Sequence, residues 1–144
     1  MKKSFLIIVC LLTITGLNAR NRNIKILPER AQNFIVATFP TKTISYIEAD
    51  RDFDEPLTYE VKFTDGVDVE FDKGGKWNKI DCGRTPVPLS AIPEGISEYI
   101  STHAPQGSFV TEIERIRGGY EVELNNGSEH HLTENGTPIG RRHR

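Results

Sequence analysis

Cysteine is scarce in this sequence. Of 144 residues only Cys10 and Cys82 carry a thiol, and Cys10 lies within an N-terminal apolar run, so no disulfide framework is expected and a packed core must hold the fold together. Positive charge is thin as well. Lys and Arg number 18 against 20 Asp and Glu, a formal charge of −2, and the one basic cluster is Arg141, Arg142 and Arg144 near the C-terminus. That balance excludes a broad surface for neutralising phosphates, and nucleic acid with it. Signatures of catalysis are missing too: there is no Gly-x-Ser-x-Gly elbow, no His-Glu-x-x-His, no Gly-x-x-x-x-Gly-Lys-Ser/Thr and no Cys-x-x-Cys. The chain is read as a non-enzyme, with no catalytic residue, resident metal or cofactor. Its 37% hydrophobic and 26% charged residues suit one globular domain or two very small ones.

What is present begins with an address. Lys2 and Lys3 precede an uncharged stretch from Ser4 to Leu17, and Ala19 comes just before the polar Arg20-Asn21-Arg22-Asn23. This is the order of charged, apolar and cleavage regions in a secretory signal peptide. At about 14 residues the apolar run falls short of the roughly 20 a membrane span needs, so cleavage after Ala19 and release into the periplasm or beyond are expected, with no membrane span afterwards.

The rest is organised by an internal repeat. Leu27, Pro28, Ala31, Phe34, Ile35, Phe39 and Pro40 recur 65 residues later as Ile92, Pro93, Ile96, Tyr99, Ile100, Ala104 and Pro105. The spacing is one apolar stripe of an amphipathic helix, with proline where a helix begins and where it has ended. Farther along, Tyr59 to Gly66 recurs at an offset of 61 as Tyr120 to Gly127. Both segments alternate apolar and polar residues and end in Asp-Gly or Asn-Gly, a hairpin signal. Return strands follow at 67–71 and 128–132, and short last strands at 77–80 and 137–139, while 44–47 and 110–116 read as first strands. The change of offset puts about four extra residues in 50–56. The predicted fold is α+β, a tandem repeat of one helix plus a four-stranded antiparallel meander. The expected layout is a signal peptide at 1–19, a first unit at 20–82, a linker at 83–91, a second unit at 92–140 and a basic tail at 141–144. The two sheets could stack or join edge to edge.

Alternation also predicts one covered and one solvated sheet face. The outward positions Glu60, Lys62, Asp68, Glu70, Glu121, Glu123, Glu129 and His131 are mostly acidic. Trp77, flanked by Lys76, Asn78 and Lys79, is added to this candidate binding face as an aromatic exposed at a sheet edge. His130 and His131 are adjacent on a strand and so point to opposite faces, which prevents the pair from chelating one ion. His130 takes the place of Val69 of the first unit and is expected on the covered side. Cys82 reads as a half-buried thiol in a linker, and the Asn-Gly-Ser and Asn-Gly-Thr sequences at 126 and 135 as turns.

With these residues on view, the apolar leader, the twofold repeat, the Phe39-Pro40 helix end, the Tyr59-Glu60-Val61 strand leading to Asp65-Gly66, and Phe71-Asp72-x-x-Gly75-x-Trp77 together resemble the PepSY-like exported proteins of Bacteroidetes. Those are also described as similar to beta-lactamase inhibitor proteins, which grip enzymes through a concave sheet surface and protruding loops. The resemblance implies that fold and an exported location. No inhibitory residue of theirs matches a position here, so inhibition stays an analogy of fold. The expected function is that of an exported, monomeric, non-enzymatic binding module that engages a protein or peptide partner in the cell envelope. The alternative is a small-molecule or cation-sensing module built on the histidines and carboxylates.

Overall fold

The fold is described from a computed structural model, over residues 21–51 and 53–140. The expected signal peptide and basic tail lie outside the described residues. Two helices, α1 (Glu29–Thr38) and α2 (Glu94–His103), each begin directly after a proline, Pro28 or Pro93. Each stops one residue short of an X-Pro step, at Phe39-Pro40 and at Ala104-Pro105, because proline's ring bars the residue before it from helical backbone. The buried stripes are Ala31 and Ile35 on α1 and Ile96 and Ile100 on α2.

Between and after the helices run β1 (Ile44–Asp50), β2 (Thr58–Phe63), β3 (Asp68–Asp72), β4 (Trp77–Asp81), β5 (Val110–Ile116), β6 (Gly119–Leu124) and β7 (Glu129–Leu132). They form one antiparallel sheet in sequential order. The two halves join edge to edge through β4 and β5, with Lys79 opposite Glu114, Ile80 opposite Ile113 and Asp81 opposite Glu112. The extra length of the first half falls between β1 and β2, where residues 51–57 do what residues 117–118 do between β5 and β6.

The second meander departs from expectation. Its fourth strand is reduced to an isolated bridge between Leu132 and Pro138. The Thr133 N–H donates to the Thr137 carbonyl and the Ile139 N–H to the His131 carbonyl, both at 2.8 Å, so Pro138 sits where a strand N–H would point away from β7, and the sheet has seven strands among the described residues.

Both helices lie on one face of this sheet over a single hydrophobic core. Val61, Val69, Phe71, Ile80, Ile113 and Val122 are fully buried there. Phe34 of α1 meets Phe71 edge-on with centroids 5.8 Å apart, and Trp77 meets Tyr120 at 5.9 Å across the join between halves. Two glycines fix how the turns sit under the helices. Gly75 has φ +84, and a Cβ there would lie 2.9 Å from the Ala31 nitrogen at the start of α1. Gly136 has φ +78, and a Cβ would lie 2.1 Å from the Gly95 oxygen at the start of α2. Both positions need a residue that accepts positive φ and has no side chain.

Candidate functional site

Strand alternation sends every second side chain to the face opposite the helices. Across β1 to β7 one register row on that face reads Glu48, Glu60, Glu70, Lys79, Glu114, Glu121, His131. The neighbouring row reads Tyr46, Lys62, Asp68, Asp81, Glu112, Glu123, Glu129. Ten carboxylates thus share the two rows with two lysines and one histidine. Among the described residues no helix or strand packs on this face.

The face brings together eight of the nine candidate residues read from the sequence: Glu60, Lys62, Asp68, Glu70, Glu121, Glu123, Glu129 and His131. Trp77 is the exception and is corrected: it is only 8% exposed, on the helix-covered side. Strict alternation back from Lys79 would turn Trp77 outward, but the register shift that pairs Glu70 with Lys79 and Phe71 with Trp77 makes Asn78 an extra, bulged residue. One bulge flips the face of every residue beyond it. The indole then stacks under the Arg115 guanidinium at 4.2 Å, and the Arg115 Nε donates to the Trp77 carbonyl at 2.7 Å. Glu48, Asp81, Glu112 and Glu114 were missed. Glu112 and Glu114 alternate visibly within 110–116, but only the β4–β5 pairing places them mid-face.

Local ion pairs neutralise part of the surface. The Lys62 Nζ bridges Glu60 at 3.0 Å and Asp68 at 3.1 Å, and Lys79 reaches Glu112 at 2.7 Å. Crowding remains. Partial burial, with Glu114 and Glu60 as further causes, raises the Glu70 carboxyl above its usual range. Asp68 is pushed up to about 6 by burial first and the adjoining Glu60 second, against the pull of Lys62. At Glu60 burial is outweighed by the hydrogen bonds from Asp68 and Lys62, which lower its pKa.

A stability effect follows for Asp68. Its folded pKa lies above the ordinary 3.8, so its contribution is fully present at low pH and is lost as pH rises through about 6. The melting temperature of Asp68→Asn, relative to the unsubstituted protein, is expected to climb between about pH 4 and pH 7 in thermal unfolding. A constant difference would contradict the assignment.

At the β7 end of the face the His131 Nε2 lies 2.9 Å from the Glu121 Oε2 and 3.0 Å from the Glu129 Oε1. His130, one residue away, turns to the covered side, with its ring edge-on to Tyr99 at 5.8 Å and Ser128 Oγ 3.2 Å from its Nε2. Cys82 is buried, and burial pushes its thiol up to about 11, the reverse of what a nucleophile requires. On the helix side a largely apolar cleft of about 340 Å³ lies between the linker and α2, lined by Pro86, Leu89, Ile92, Ile100 and Phe109 among others.

The family model described as PepSY-like and beta-lactamase-inhibitor-like matches residues 57–139. The chain belongs to this family. Solved structures similar to this PepSY-like chain come from Bacteroides. A periplasmic protein of unknown function from Bacteroides vulgatus is 34% identical with a TM-score of 0.76, over 83% of this chain and 94% of that one. One from Bacteroides thetaiotaomicron, described as a candidate calcium-regulated periplasmic protein, is 36% identical with a TM-score of 0.77, over 84% and 94%. A second Bacteroides vulgatus periplasmic protein, of the DUF2874 family, is 33% identical with a TM-score of 0.75, over 82% and 91%. No curated protein matches the chain. Among the described residues no helix is long and apolar enough to cross a membrane.

Proposed function

We propose that this PepSY-like chain is a periplasmic, non-enzymatic binding module that holds a basic segment of an envelope protein or peptide on the open face of its sheet. The observation that carries the reading is the excess of carboxylate over lysine along both register rows. Burial first and neighbouring carboxylates second raise Asp68 and Glu70, and a cationic partner offsets the second of these as it binds. A partner that is an enzyme would be restrained by having its surface covered, in keeping with the family's description as beta-lactamase-inhibitor-like. The periplasmic location is supported by the similar structures. We further assign residues 1–19 to export, and 20–82 and 92–140, with linker 83–91 between them, to two copies of one unit acting as a monomer, the second copy lacking its fourth strand.

The test is a binding titration with two labelled peptides of equal length, one rich in lysine and arginine and one rich in aspartate and glutamate. The basic peptide is expected to bind, and to weaken steeply as salt shortens the Debye length from about 30 Å at 0.01 M to about 8 Å at 0.15 M. Equal binding of both peptides, or of neither, would overturn the reading. A second reading, cation sensing, is favoured by the carboxylates around His131 and by the calcium regulation ascribed to the Bacteroides thetaiotaomicron protein. Its test is the shift in melting temperature on adding calcium.

A further inference from the structure

The His131 end of the open face sets a nitrogen donor among carboxylates. His131 and Glu121 sit directly opposite each other on β7 and β6, and Glu129 is two residues before His131 on the same strand, so all three project from one face. Their ligand atoms lie within 4.8 Å of one another, an arrangement found at no other trio of His, Cys, Asp or Glu among the described residues. One imidazole nitrogen faces two carboxylate oxygens at nearly equal distance. An Nε2 carries at most one proton, so it serves two anionic acceptors poorly, whereas a cation placed between the three atoms takes each of them as a donor.

The donor set discriminates between metals. Calcium prefers six to eight oxygen ligands. A neutral imidazole nitrogen beside carboxylate oxygens suits zinc and its neighbours among the later first-row dications. The three side chains are half-buried or exposed on the open face, so water can reach an ion held between them.

We propose that Glu121, Glu129 and His131 form a mononuclear site for a transition-metal dication of the zinc class. Binding takes the unprotonated Nε2, so any proton on it is released to solvent as the metal enters, and no other bond changes. The site stands independently of the peptide reading, and its failure would leave calcium sensing by the carboxylates untouched.

The experiment is isothermal titration of the untagged protein with zinc chloride near neutral pH, with calcium chloride run in parallel. One zinc per chain is expected. His131→Ala should weaken it by at least about tenfold, while His130→Ala, on the opposite face, retains it. In the unsubstituted protein, zinc should shift the imidazole nitrogen resonances of His131, a readout independent of whether any variant folds. The proposal is overturned by absence of zinc binding, by equal loss in both histidine variants, by unmoved His131 resonances, or by displacement of zinc with equimolar calcium.

Discussion

Phe71→Ala is expected to destabilise the protein by about 3–5 kcal/mol, the range for deleting a buried aromatic side chain together with the cavity left behind. Phe71 has no exposed surface, its ring meets Phe34 of α1 at 5.8 Å, and its backbone pairs with Trp77 at the β-bulge. The cavity would open under α1, where helix and sheet depend on one another and neither can collapse inward without the other. For a domain near this size the melting temperature should fall by roughly 10–20 °C. Of a total stability of about 5–15 kcal/mol, so large a share makes partial unfolding at 37 °C the expected outcome. Calorimetry or circular dichroism measures it, and a loss below about 1 kcal/mol would contradict the placement of Phe71 in the common core.

The second large effect falls on binding and not on stability. Reversing Glu70 and Glu123 to lysine changes the local charge by four units on two positions of the open face, one in each half of the sheet. Glu70→Lys places an ammonium between Glu60 and Lys79, and Glu123→Lys places one between Glu112 and Glu129. Neither substitution strands a new charge away from a carboxylate, so the melting temperature should move little, within the roughly 0.5 kcal/mol usual for surface changes. Association with a basic partner should slow by about 10- to 100-fold at low salt, because steering by the face is what the reversal removes. Stopped-flow or surface-plasmon kinetics separates the rates. An unchanged association rate with a folded variant would remove this face from the proposed function.

Much of this architecture is legible in the sequence where local physics decides it. The helices announce themselves through one apolar stripe each and the prolines that bracket them, and the hairpins through alternation ending in Asp65-Gly66 and Asn126-Gly127. The acidic face is legible for the same reason, since alternation alone sorts Glu60 from Val61 and Glu121 from Val122. What stays hidden is non-local. The β4–β5 pairing joins Ile80 to Ile113 across the linker and α2, and nothing near either residue encodes it. Without that pairing Glu112 and Glu114 belong to the edge of a separate sheet, not to the middle of one face. Trp77 was misplaced by a bulge, a one-residue insertion that alternation cannot register, and by polar neighbours that suggest an edge where β4 is in fact central. The eighth strand is an intermediate case: the stretch 137–139 does meet β7 through the Thr137 carbonyl and the Ile139 N–H, but over a single bridge. The cluster at His131 needed the β6–β7 register to bring Glu121 beside it.

The central claim is that the acidic open face is the working surface. Site-specific photo-crosslinking in intact cells tests it most directly, with a photoreactive residue at Glu70 or at Glu123 and, for contrast, at Val36, which is 63% exposed on the outer side of α1. The prediction is one common protein or peptide adduct from Glu70 and Glu123 and none from Val36. Adducts arising from Val36 alone, with the open face silent, would contradict it.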